Sequence, residues 1–353
     1  MLAIVVLQYG RWRDTIACLQ SLTPAIDAGL ARVIVVDNAS TDDSVTHLQH
    51  WMRGGHVATP RPVHDTVASR WWPLTGADST WDVRMPSPNP PGEPAAWTLF
   101  LADENRGFAV GMNHGLRMAL SDHRVDAVWL LNNDTVAAEG AVAAIRRALD
   151  ASPPDVGQFG TTVCYYDRPT IVQSVGWCRW NSWLATTRRM HDGASVDQPL
   201  TRETRQPGYV YGASWVLRTR ALEDVGLLSE EGFLYGEELD WSCRALPRWQ
   251  SALIDAALVW HREGATIGAG VASAAARSEL ADLSGISARL RLTRRFFPRR
   301  LPVVYLSLFG AVLNRLWRGN PKRAKAVALL VLGAGLPSPR PVPSAASQSS
   351  SPS

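Results

Sequence analysis

The chain has 353 residues, room for one large domain with an appendage or for two ordinary domains. Hydrophobic residues make up 46% and charged residues 19%, which excludes a disordered or fibrous chain. The 36 basic and 32 acidic residues leave a formal charge of +4, too small to direct the protein to nucleic acid.

Leu2 to Leu7 is an apolar run that reads as a buried first strand, with no basic flank or cleavage site of a signal peptide. Residues 12–22 place Ile16, Leu19 and Leu22 on one side of a helix, and 32–37 form a second strand. This strand–helix–strand opening implies a parallel pair with a right-handed crossover. Asn38 to Asp42 is turn-rich and caps a helix over about 43–53, with Ser40 and Thr41 available as caps. From 54 to 96 periodicity gives way to Pro, Gly, Trp and Arg, which reads as a surface insertion carrying Trp71, Trp72 and Trp81 or as a floppy lid.

Order returns in a short strand at 97–101, then a turn, then a helix to about Leu120. A strand over 126–131, an Ala-rich helix over 138–149 and shorter strand-like pieces to about 220 follow. After them come a helix at 219–225, a helix around 239–246 and a strand at 252–260 ending in His261. Beyond 275 the texture changes to a basic helix at about 280–297 and two apolar runs, Leu301–Leu313 and Ala326–Leu336. Neither run reaches the roughly 20 residues that span a bilayer. Eleven basic residues and no acid lie between Arg289 and Lys325. That pattern fits helices lying at an anionic membrane surface, or else an appendage packed on the domain. A Pro/Ser tail from Pro337 reads as disordered. Cys18, Cys164, Cys178 and Cys243 show neither CxxC spacing nor a disulfide framework, which fits a reduced cytoplasmic protein.

Three acidic segments stand out. Val33–Val36 stops at Asp37, Trp129–Leu131 runs into Asn132, Asn133 and Asp134, and Glu237, Glu238 and Asp240 follow about a hundred residues later. A buried parallel strand that ends in an acid delivers its carboxylate to the sheet edge where open α/β folds bind ligands. Two sheet-edge acids suit a metal-bound diphosphate, and the third cluster suits a base.

The pieces that carry a resemblance are Leu7-Gln8-Tyr9 with Trp12, Asp14 and Thr15; Val36 to Asp42; Glu104 to Phe108; Asn113 to Leu116; Leu131 to Thr135; Gly212-Ala213; and Val225 to Arg244, closing with His261. In this order they resemble the inverting family 2 glycosyltransferases, in particular their bacterial rhamnosyltransferase-like branch. The resemblance covers about 2–55 and 97–265. It implies an α/β GT-A fold, a Rossmann-like and mostly parallel sheet with helices on both faces, over residues 1–270. A basic helical extension over 271–336 and the tail over 337–353 would follow.

By the same resemblance, Gln8, Tyr9, Asp37, Asn105, Arg106, Gly107 and Asn132 hold the donor, with Asp37 accepting from the base. Gly107 and Gly111 would offer backbone N–H groups to phosphate or sugar. Asp134 and His261 would hold Mn2+ or Mg2+, and Glu238 would be the base, with Asp240 its competitor. An acidic helix N-terminus explains one of the three acids without any catalytic role. The implied reaction moves a sugar, rhamnose from dTDP-rhamnose first, from a dTDP- or UDP-sugar to a glycan or polyprenyl-linked acceptor at the cytoplasmic membrane face. Rival readings are a sugar-1-phosphate nucleotidyltransferase, which would want a lysine-bearing phosphate loop where Gln8–Trp12 stands, and a non-catalytic glycan- or membrane-binding scaffold.

Overall fold

Nine strands form one sheet because their side chains are apolar on both faces and therefore need cover on both sides. A computed structural model describes residues 1–54, 95–262 and 279–333. The insertion with Trp71, Trp72 and Trp81 and the Pro/Ser tail lie outside the described residues.

The first half is β1 (Leu2–Gln8), α1 (Trp12–Asp27), β2 (Ala31–Asp37), α2 (Ser44–Met52), β3 (Trp97–Leu101), α3 (Phe108–Leu120), β4 (Ala127–Asn132), β5 (Thr135–Ala137) and α4 (Ala141–Ala151). The second half is β6 (Val156–Tyr165), β7 (Arg168–Ser174), β8 (Trp177–Asn181), β9 (Thr186–Arg189), α5 (Arg202–Arg205), β10 (Tyr209–Val210), β11 (Ser214–Arg218), α6 (Thr219–Val225), α7 (Glu237–Ala245) and β12 (Gln250–His261). Three helices close the described chain: α8 (Glu279–Phe296), α9 (Leu301–Trp317) and α10 (Pro321–Val331). The sheet order is β3-β2-β1-β4-β11-β6-β12-β5, with β7 on β6, and β10-β8-β9 form a second, small sheet. β3, β2, β1 and β4 are parallel neighbours, while β11 runs antiparallel to both β4 and β6.

Strand alternation sorts the core into two layers. Leu2, Ile4 and Val6 join Ile16, Leu19 and Leu22 of α1 and Ile145 of α4 on one face. Ala3 and Val5 join Met112 and Leu116 of α3 and Trp241 of α7 on the other. Each fully buried Leu or Ile contributes roughly 1.5–3 kcal/mol. α3 lies close on the sheet through Gly115, where a Cβ would collide with Val5.

Two element starts differ from expectation, and glycine explains both. Gly140 (φ 79°) and Gly236 (φ 92°) adopt left-handed backbone and set the first residues of α4 and α7. α7 therefore begins at Glu237, and all three acids fall in its first turn, where the helix dipole favours negative charge. α1 continues past residue 22 through Pro24 to Asp27.

Candidate active site

The carboxyl ends of β1, β2 and β4 lie along one sheet edge, because Gln8 pairs with Asp37 and Leu7 with Asn132 in parallel register. β12 brings His261 to that edge from far along the chain. A register irregularity between Ile254 and Leu258 re-aims its end, so that His261 pairs with Thr135 of β5 as well as Tyr165 of β6. A cavity of about 1650 Å³ opens there, large enough for two substrates. Tyr9, Asn105, Gly107, Asn132, Asp134, Glu238 and His261 all line it.

His261 and Asp134 are both buried, and His261 Nε2 stands 3.1 Å from Asp134 Oδ1. On the other side of the ring, Nδ1 lies 2.8 Å from Gln173 Oε1, which also accepts from the Tyr211 hydroxyl at 3.1 Å. That oxygen is an acceptor, so Nδ1 carries a proton and Nε2 is the nitrogen that faces the Asp134 carboxylate. These two atoms at this distance need a proton or a cation between them. An imidazole nitrogen and a carboxylate oxygen form a ligand pair that fits Mn2+ better than Mg2+, and the Asn132 amide stands beside them, its Nδ2 3.5 Å from Nε2. No third His, Cys, Asp or Glu joins them among the described residues, which leaves further coordination positions to phosphate oxygens and water.

A second wall of the same cavity carries Glu237 and Glu238 of α7. Burial, reinforced by the Glu238 charge, pushes the Glu237 carboxyl up to about 8, and burial raises Glu238 as well. Glu237 is 2% exposed and its Oε1 has no hydrogen-bond partner. Glu238 stands half-buried at the wall. Asp240 does not join them. It is 0% exposed and held by Arg244 Nε at 2.8 Å and by Arg295 Nη1 of α8 at 3.0 Å.

The segment Tyr211-Gly212-Ala213 connects the two walls. Tyr211 supports Gln173, a Cβ on Gly212 would collide with Glu238 Oε1, and the Ala213 carbonyl accepts from Asn132 N at 3.1 Å. Gly212-Ala213 was visible in the sequence as a motif, but Gln173 carried no signal there. Its role depends on a register that places β7 against β6, and β6 against β12.

Several donor-site expectations change in the structure. Gln8 is buried, accepting from Thr15 Oγ1 and donating to Ser40 Oγ, so it fastens loops and does not face the cavity. Asp37, 2% exposed, accepts from Ser40 N at 2.8 Å and Ser40 Oγ at 2.6 Å. Ser40 therefore braces Asp37 and does not cap α2. Arg106 projects outward, 61% exposed, beside Glu104.

The phosphate-facing N–H groups expected around Gly107 and Gly111 are also spoken for. Gly107 N donates to Asn105 Oδ1 and Phe108 N to the Phe233 carbonyl. A Cβ on Gly107 would strike that same carbonyl, and one on Gly111 would strike Leu7. These glycines allow close packing of the loop before α7 and of α3 on the sheet.

α8 completes the cavity wall through Ile286, Ala288, Arg289 and Leu292. It also clamps the loop before α7, with Arg291 donating to the Tyr235 carbonyl at 2.9 Å and Leu292 filling the space beside Gly236.

No family model matches the chain. No curated protein matches it either. Among solved structures, GalNAc-T7 with UDP, GalNAc and Mn2+ is similar at a TM-score of 0.52 and 12% identity, over 93% of this chain and 54% of that one. A mannosyltransferase from Pyrobaculum calidifontis in complex with GDP-Man and Mn2+ gives 0.46 and 14%, over 94% and 87%. S. aureus TarS 1-349 gives 0.44 and 11%, over 95% and 93%. At these identities the likeness is one of fold, and it rests on the first of the three. The chain has a GT-A-like α/β fold, with helices following it at the C-terminal end.

Proposed function

We propose that the chain is a metal-dependent inverting glycosyltransferase of the family 2, rhamnosyltransferase-like kind. It takes a sugar from a dTDP- or UDP-sugar, dTDP-rhamnose first. The acceptor is a glycan or polyprenyl-linked molecule of cell-envelope polysaccharide synthesis, met at the inner face of the membrane. The observation that carries this reading is the buried pair of His261 Nε2 and Asp134 Oδ1, with Gln173 holding the other ring nitrogen. The similar GalNAc-T7 was solved with Mn2+, which supports the same choice of metal.

Asp134 and His261, with Asn132 beside them, would hold the ion at the sheet edge. When bound, a divalent ion neutralises the departing diphosphate. Tyr9, Asn105 and Asn132 line the cavity on the donor side. Glu238, on the second wall, takes the proton from the acceptor hydroxyl as that oxygen attacks the anomeric carbon. Its raised pKa makes it a stronger base than an exposed carboxylate. Asp240 has its carboxylate committed to two arginines, which supports Glu238 over it. Asp37, fixed by Ser40, sits at the end of β2 beside the pocket residue Asn38, within the region assigned to the base.

The test is turnover of a panel of sugar nucleotides, with and without an added acceptor, in Mn2+, Mg2+ and EDTA. Metal-dependent release of a nucleoside diphosphate from one donor is expected. Release of pyrophosphate from a nucleoside triphosphate with a sugar phosphate would instead establish a nucleotidyltransferase.

A further inference from the structure

α9 has two faces with different commitments. Val304 and Leu308 are buried against α8 and α10, and Ala311 and Arg315 of the same side line the cavity. At 100° per residue, Leu306, Phe309, Leu313, Leu316 and Trp317 project from the opposite side. All five are exposed, Leu306 at 71%, Phe309 at 59% and Trp317 at 87%. A run of large apolar side chains on one helix face is the kind of surface that marks an interaction site.

Its border along the chain is basic. Arg299 precedes α9, Arg318 ends it, and Lys322 and Lys325 stand on α10; none of the four makes an ion pair among the described residues. From Leu283 to Ser353 the sequence contains no acid. No described helix is long and apolar enough to cross a membrane, and α9, with its other face in the core, has no second face to give to lipid.

We infer that the outer face of α9 is a docking surface for an anionic lipid bilayer, on which the helix lies in the plane of the interface. The apolar stripe enters the headgroup–acyl boundary while the basic border meets anionic headgroups. Charge complementarity selects this occupant over a second copy of the chain. A two-fold contact would set one acid-free basic border against another. Because the same helix walls the cavity, docking places the cavity within about one helix diameter, roughly 10 Å, of the lipid surface. The inference stands on this face alone and does not depend on the transferase reading.

The experiment is flotation of the full chain with phosphatidylcholine vesicles and with vesicles also containing phosphatidylglycerol, each at low and high salt. Recovery with anionic vesicles at low salt should exceed the other three conditions by tenfold or more. Phe309→Ser with Leu313→Ser, and separately Lys322→Glu with Lys325→Glu, should each lower that binding by tenfold or more. Near-ultraviolet circular dichroism should remain that of the wild type, since all four side chains are exposed. Failure of the wild type to float, or flotation of both variants like wild type, overturns the proposal. Self-association in sedimentation velocity that the serine variant abolishes, without vesicle binding, overturns it in favour of a dimer.

Discussion

Gly212 lacks a side chain at the place that Glu238 Oε1 occupies, so the backbone of one wall lies directly against the carboxylate of the other. Shape at Gly212 thereby helps to set where the Glu238 carboxylate lies. Gly212→Ala should fold with nearly wild-type stability, because the carboxylate is the free end of a flexible side chain and can swing away. Its turnover should fall at least tenfold, since a misplaced base loses its catalytic geometry. Steady-state kinetics beside a thermal melt checks this, and unchanged kcat would remove Gly212 from the account.

Glu238→Gln should retain donor binding and lose turnover by about 10² to 10⁴, the usual contribution of a positioned base. Asp240→Asn should behave differently. It leaves Arg244 and Arg295 facing a neutral amide in a buried position, so the melting temperature should drop along with activity. If instead Asp240→Asn keeps its stability and loses only turnover, the base is two residues further along α7.

The two raised glutamates predict a pH dependence of a stated sign. Glu237 folds with a pKa near 8 against 4.5 for the free side chain, so the folded state holds a proton that the unfolded state has released. Stability from this group is therefore present below about pH 4.5 and is lost as pH rises through 8. Glu237→Gln should flatten that decline and raise the melting temperature at pH 8. Melts of both proteins from pH 5 to 9 would show it, and an unchanged decline would remove Glu237 from the account.

Asp134→Ala should abolish Mn2+-dependent binding of nucleoside diphosphate while the fold remains, since the residue stands in the turn between β4 and β5 and belongs to no apolar cluster. Gln173→Leu tests the supporting contact. Without the Gln173 acceptor the imidazole is free to turn or change tautomer, and metal affinity should fall by about 10- to 100-fold. Calorimetry of both variants decides it. Equal affinity in Gln173→Leu would mean that the ring is oriented by its packing against Tyr211.

The sequence determined most of the scaffold. Runs such as Leu2–Leu7 and Val33–Val36 are apolar at every position, which only a strand covered on both faces tolerates, and each ends where a polar side chain can reach the sheet edge. Those local patterns placed Asp134 and His261 by strand ends and Glu238 by a helix start, because such ends are written in short-range periodicity, while the roles proposed for them came with the family resemblance. The tertiary structure decided what no local pattern holds. Gln173 meets His261 only through the order β7-β6-β12, and Gln8 turns inward only because Thr15 and Ser40 surround it. Asp240 and Glu238 are two residues apart, yet helical rotation sends one into a pair of arginines and the other to the cavity. The basic C-terminal segment looked like an appendage, but α8 supplies a cavity wall and grips the loop before α7, while α9 turns its apolar stripe outward. Composition gave the charge and the hydrophobicity of those helices. Which side of each faced the protein was set by packing of the helices against one another and against α7 and the loop before it.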